Sequence, residues 1–198
     1  MANPEEAALL RRAKEGDPLA LKALVEQHQD DVFYLALGLL GRRPDAEDAM
    51  QDVMIKALRA LPRFRGDSGF ATWLYRITHN TCRDYQRRQR WSRVTDSVDE
   101  QPGIASQWQT HDPADDPDRA TASGQLGQEL LIALDTLTPS ERSVFVLRQF
   151  QELSTRETAE VLSRAEGSVK NLLFRAMRKL REALADYETP VPQKEVAP

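Results

Sequence analysis

Arginines and aromatic rings alternate along residues 70–91 of this 198-residue chain: Arg76, Arg83, Arg87 and Arg88 lie among Phe70, Trp73, Tyr75, Tyr85 and Trp91. That mixture suits unstacked nucleic-acid bases, because cations follow a phosphate backbone while rings stack on exposed bases. Each stacked base contributes roughly 1–3 kcal/mol, so two or three would offset the opening of several base pairs. On helical spacing Phe70 and Trp73 can equally be core, and Trp73 reads as core. Tyr75, Arg76 and Asn80 fall off the apolar side and read as nucleic-acid contacts. A second set, Ser168, Lys170, Asn171, Arg175 and Arg178, falls on one face of a later helix. Residues 167–181 hold five cations and no acid, as expected of a helix that meets duplex phosphates and base edges. An amphipathic helix with a solvated basic face is the blander alternative. A third set is acidic: Asp48, Gln51 and Asp52 occupy adjacent turns of one polar face. It fits a solvated face or a dock for a basic protein, and composition leaves both open.

No catalytic constellation accompanies these sets. His28, His79 and His111 are too far apart for metal-ligand spacing, and Cys82 is the sole cysteine, so neither a metal site nor an internal disulfide is expected. A lone cysteine suits a reducing compartment. The N-terminus carries no apolar signal segment, and the most apolar stretch, Val32–Leu40, is far too short to span a bilayer. A cytoplasmic protein without cofactor, metal, membrane insertion or enzymatic activity is expected. The net charge of −4 argues against an indiscriminate nucleic-acid binder. Its distribution argues otherwise: residues 63–93 carry eight arginines against Asp67 and Asp84, whereas residues 94–125 carry seven acids against Arg119.

The elements that must hold these residues are helices. Asn3-Pro4 and Asp17-Pro18 each offer an N-cap followed by proline. Leu21, Leu24, Val25, Phe33, Leu37 and Leu40 form an apolar stripe ending near Gly41. A second stripe opens at Asp45 (Ala46, Ala49, Met50, Val53, Ala57, Leu61) and stops at Pro62. The segment Phe64–Gly69 reads as a loop, and a long helix follows from about Phe70 to Trp91. Thr138-Pro139-Ser140-Glu141 and Ser154-Thr155-Arg156-Glu157 are capping boxes. The first opens a helix whose Val144–Phe150 is core. The second opens a short helix, followed by a turn near Ala165-Glu166-Gly167. The last helix carries Val169, Leu172, Leu173, Ala176, Met177, Leu180 and Leu184 on one face. No segment has strand periodicity, so the expected fold is all-α. It comprises two small helical domains, 1–93 and 125–187, joined by an extended acidic linker over 94–124 and followed by a disordered tail over 188–198.

The run from Asp45 to Arg88, DAEDAMQDVMIKALRALPRFRGDSGFATWLYRITHNTCRDYQRR, resembles region 2 of the extracytoplasmic-function (ECF, group 4, sigma-70 family) RNA polymerase sigma factors. The run from Leu137 to Glu182, LTPSERSVFVLRQFQELSTRETAEVLSRAEGSVKNLLFRAMRKLRE, resembles their region 4. With GDPLALKALVEQHQDDVF at the N-terminus, the likeness covers most of the chain. It implies a region 2 helical bundle and a region 4 helix-turn-helix, in a protein that directs core RNA polymerase to promoters. Asp48, Gln51, Asp52 and Lys56 would bind the clamp helices of the polymerase largest subunit, with the flap as a further contact. Phe64, Arg65, Asp67, Ser68 and Phe70, together with Tyr75, Arg76, Asn80, Arg83 and Arg87, would capture melted −10 DNA. Ser168, Lys170, Asn171, Arg175 and Arg178 would read the −35 duplex. The family often has proline where Ala165 stands and arginine where Leu172 stands. The implied partners are core polymerase, promoter DNA and an anti-sigma factor. Two alternatives are a stand-alone helix-turn-helix regulator and a sigma mimic that titrates an anti-sigma factor. The first leaves the arginine–aromatic helix unused, and the second would dispense with the DNA-facing cations that this chain keeps.

Overall fold

A computed structural model describes residues 4–95 and 132–184. Most of the linker, including Trp108, and the tail over 188–198 lie outside the described residues, as do Asn3, Gln125 and Leu130. Among the described residues there are only helices and turns. The helices are α1 (Pro4–Lys14), α2 (Pro18–Leu40), α3 (Arg43–Ala60), α4 (Phe70–Thr95), α5 (Pro139–Gln149), α6 (Thr155–Leu162) and α7 (Glu166–Leu184), with a short 3-10 turn at Leu61–Arg63. The fold is all-α.

Local chemistry accounts for most helix ends. Asp17 caps α2 through its carboxylate, which accepts from the amides of Leu19 at 2.9 Å and Ala20 at 3.3 Å. Gly41 ends α2 in the left-handed region (φ 81°), its amide bonded to the Leu37 carbonyl. Both expected capping boxes form: Thr138 with Glu141 opens α5, and Ser154 with Glu157 opens α6. The start of α3 differs from expectation. The helix begins at Arg43, two residues before Asp45, because Pro44 sits comfortably in a first turn. Asp45 then bonds Gln89 at 2.8 Å and pairs with Arg42 at 3.4 Å. The turn of the helix-turn-helix also lies slightly earlier than expected. Ser163 takes the left-handed conformation (φ 52°), and Glu166 already belongs to α7.

Helices α1–α4 enclose one core built on Leu24, Val32, Val53, Leu61, Phe70 and Leu74. A smaller cluster, Val144, Ala159 and Val169, holds α5–α7 together. The largest cluster joins both halves: Leu35, Ala36, Leu39, Tyr75 and Cys82 pack with Leu134, Phe145, Val146, Val161 and Leu180. Helix α2 is therefore central rather than one-sided. Its second half buries Val32, Leu35, Ala36 and Leu39, whereas of the expected stripe only Leu24 is fully buried and Leu21, Val25, Phe33, Leu37 and Leu40 are half-buried.

At the seam, Gly38 of α2 meets Val146 of α5. A Cβ at Gly38 would lie 2.8 Å from the valine Cγ1, so only glycine admits this approach. The last carbonyls of α2, which lack intrahelical partners, find them nearby. Gln86 donates to the Leu39 carbonyl at 3.0 Å, and Arg142 Nε donates to the Gly38 carbonyl at 2.6 Å. Arg142 is 8% exposed and also binds Asp135 at 2.7 Å. Burial lowers its affinity for the proton, and Asp135 opposes that effect. The guanidinium remains charged and complements the C-terminal end of the α2 dipole.

Candidate nucleic-acid and polymerase interface

Helix α4 is packed on two flanks, and this decides which of its residues are available. Phe70 and Leu74 face the α1–α4 core, while Tyr75 and Cys82 face the core shared with α5–α7. What remains is a strip, Arg76, Asn80, Arg83 and Arg87, at spacings of four, three and four residues. Arg76 is half-buried, with Nε lacking a hydrogen-bond partner, and the other three are exposed. Arg87 pairs with Asp84 at 3.2 Å.

The aromatics of this region are corrected by the same packing. Phe64 is 9% exposed, Phe70 7% and Tyr75 5%, so none offers a face to a base. Phe64 and Phe70 belong to a ring cluster with Trp73 and His28: Phe70 lies 5.7 Å from Phe64, 5.4 Å from Trp73 and 5.2 Å from His28. Glu6 of α1 holds His28 at 3.2 Å, and Lys14 donates to the Phe64 carbonyl. The rings thus anchor the loop between α3 and α4 from below. Arg65 and Asp67 stand exposed above them, and Ser68 is half-buried. Tyr75 is sealed further: burial raises its pKa, and so does the carboxylate of Asp31, which accepts its hydroxyl. Helical spacing places Tyr75 off the stripe formed by Trp73, Leu74 and Ile77. It cannot reveal that a second unit covers the other side.

On α3, Asp48 and Gln51 are exposed, and Asp52 is half-buried and accepts the Tyr85 hydroxyl at 3.3 Å. Lys56 donates to Thr81 Oγ1 at 3.0 Å, so its ammonium braces α3 on α4. Two residues outside the expected set share this surface. Ile55 is 47% exposed and Leu58 37%, and with Gln51 they mark one helical stripe. Their signal in the sequence is that they are the apolar residues of α3 left over from its core stripe.

On α7, Ser168, Lys170, Asn171, Arg175 and Arg178 are all exposed. Phe174 stands among them at 70% exposure, an apolar tip amid cations that the aliphatic stripe does not use. A side chain of this kind can meet a thymine methyl in the major groove. Leu172, at the position where arginine is common, is partly buried against Val144, Ala159 and Val169, so it packs rather than reaching outward. Lys179 pairs with the buried Glu141 at 2.7 Å and pins α7 to α5. Burial pushes the Glu141 carboxyl up, but the bonds from Lys179 and Thr138 outweigh it and hold it below the ordinary range.

The two basic surfaces are not brought together. His79, Arg83, Gln86 and Arg87 of α4 face Ser140 and Ser143 of α5 and Arg164 after α6 across a cleft of about 460 Å³, and among the described residues no α7 cation lines it. Burial lowers the pKa of His79, and the charges of Arg83 and Arg164 lower it further. Among the described residues no group of acids, histidines and cysteine could hold a metal ion, and no helix is long and apolar enough to cross a membrane.

A helical bundle bearing a basic strip, followed by a helix-turn-helix, defines a class of DNA-directed initiation protein, and sequence comparison bears this out. Residues 24–92 match the model for Sigma-70 region 2, and residues 127–180 match that for Sigma-70, region 4. The chain is 30% identical to the RNA polymerase sigma-H factor of Pseudomonas aeruginosa, over 93% of this chain and 96% of that one. It is 32% identical to the ECF RNA polymerase sigma-E factor of Escherichia coli K12, over 94% and 95% respectively. Among solved structures it resembles CnrH in complex with the cytosolic domain of CnrY (TM-score 0.64, 26% identity, 92% of this chain and 97% of that one). The fold is also that of the sigma factor RpoE of Bartonella quintana, solved with the anti-sigma factor NepR (TM-score 0.63, 24% identity, 83% and 96%). The chain belongs to the ECF RNA polymerase sigma factors, which direct RNA polymerase to promoters.

Proposed function

We propose that the two units divide promoter recognition between them, with residues 1–93 engaging polymerase and melted −10 DNA and residues 125–187 gripping the −35 duplex. Asp48 and Gln51, with Ile55 and Leu58 one and two turns further along the same stripe, dock on the clamp helices of the polymerase largest subunit. Exposed apolar side chains next to an acidic turn suit a helical partner that sets apolar residues beside basic ones. Arg65, Asp67, Ser68, Arg76, Asn80, Arg83 and Arg87 hold the opened −10 strand, and Phe64, Phe70 and Tyr75 shape that surface from inside. Ser168, Lys170, Asn171, Phe174, Arg175 and Arg178 read the −35 element from the major groove. The protein makes and breaks no bond. Binding energy alone holds the bubble open, in the cytoplasm, and an anti-sigma factor opposes it by covering the same faces. The observation that carries this reading is the exposed strip on α4, within the segment that matches region 2.

Run-off transcription with core polymerase and permanganate footprinting test the division. Wild type opens a bubble at −10. Asn80→Ala should keep core binding and lose permanganate reactivity, and Asp48→Arg should lose core binding. Two fully active variants would overturn the assignment.

A further inference from the structure

The cleft between the units is lined by cations from both of them, and the promoter reading accounts for only one side. Arg83 and Arg87 come from α4, whereas Arg164 comes from the turn after α6, which has no part in that reading. Arg164 is exposed and donates from one nitrogen to Ser140 Oγ at 3.0 Å, its other donors having no partner among the described residues. Asp84 is the one carboxylate in the lining and is already paired with Arg87. Among the described lining residues, Arg83 and Arg164 therefore have no carboxylate partner, and they face a space of about 460 Å³, within the size range of sites for small ligands. Ser140 and Ser143 add hydroxyls in the first turns of α5, and Gln86 adds an amide. Guanidinium forks from opposite walls suit tetrahedral oxyanions, which accept two parallel bonds from each fork. Arg83 and Arg87 on α4 and Arg164 after α6 together offer three guanidinium forks, enough donors to engage more than one phosphoryl group of a di- or triphosphate.

We infer that this cleft binds a di- or triphosphate, free or as part of a nucleotide, which bridges Arg83 and Arg87 to Arg164 and fastens the two units in the arrangement described. His79 lies on the same wall, where burial first, and then the charges of Arg83 and Arg164, hold its pKa below the ordinary value. The bound phosphates occupy cations otherwise available to the −10 strand, so ligand and melted DNA exclude one another. That consequence rests on the proposed promoter reading, and binding itself does not.

Calorimetric titration of the full chain with sodium tripolyphosphate tests the site. Wild type should bind saturably. Arg83→Ala and Arg164→Ala should each weaken binding about tenfold, whereas Arg156→Ala, on the exposed side of α6, should leave it unchanged. Ser140→Asp supplies a second route, since an acid suits a helix N-terminus and the fold but repels phosphates. It should weaken binding as much as Arg164→Ala. Absence of saturable heat, or equal losses in Arg156→Ala and Arg164→Ala, would overturn the proposal. So would Arg164-dependent binding of a ten-residue oligothymidylate without any binding of tripolyphosphate, since the site would then serve backbone phosphates. If tripolyphosphate binds as described but does not inhibit bubble formation, the promoter assignment of Arg83 and Arg87 fails while the site stands.

Discussion

Helices α4 and α7 both carry the arginines proposed to meet DNA, yet they are built on opposite plans. Helix α7 is amphipathic in the ordinary sense: Val169, Ala176 and Leu180 face inward, and a broad surface from Ser168 to Arg181 faces out. Helix α4 is clasped on two flanks, and the strip from Arg76 to Arg87 is what remains. A helix packed on one side can present a wide face to a rigid groove. One packed on two sides is held firmly and exposes little, which suits the gripping of single bases drawn to it.

The comparison breaks most visibly at Tyr75. Truncation to alanine should cost about 3–5 kcal/mol of stability by urea unfolding, the usual consequence of emptying a buried aromatic site. A loss under 1 kcal/mol would mean that α4 has a free second flank after all. Smaller effects come from the pin between α7 and α5. Glu141 has a folded-state pKa below its ordinary 4.5, so its stabilising contribution is present above that value and disappears as pH falls through the folded pKa. The stability gap between wild type and Glu141→Gln should therefore be full at neutral pH and close in acid. A gap that persists at pH 2 would assign Glu141 to packing alone. The smallest effect on stability belongs to Phe174→Ala, which should stay within about 0.5 kcal/mol because the ring is mostly exposed. Its expected cost falls on −35 binding instead, measured by footprinting with holoenzyme on promoters that keep or lack thymine methyls.

Much of this architecture is legible in the residues. Asp17-Pro18 and the capping boxes at Thr138 and Ser154 announce three helix starts through local hydrogen bonds alone. Lys170, Arg175 and Arg178 of α7 are exposed as expected, since one-sided periodicity is a property of a single segment. What escapes is what depends on a distant partner. Aromatics interleaved with arginines on α4 look like a stacking surface until Phe70 and Trp73 are known to pack in the α1–α4 core and Tyr75 in the core shared with the second unit. Ile55, Leu58 and Phe174 escape for the opposite reason. Apolar residues are assigned to the core by habit, and only their exposure in the fold makes them candidates for contact.

Gly38 and Arg142 are separated by 104 positions, and this orders events in time. On the ribosome, Gln86 reaches the Leu39 carbonyl when the first bundle closes, but Arg142 has yet to be synthesised. The end of α2 waits, its Gly38 carbonyl hydrated, until the second unit emerges. The newborn bundle is thus briefly an open molecule with Leu35, Leu39, Tyr75 and Cys82 uncovered, and the last third of the chain folds onto a template already made.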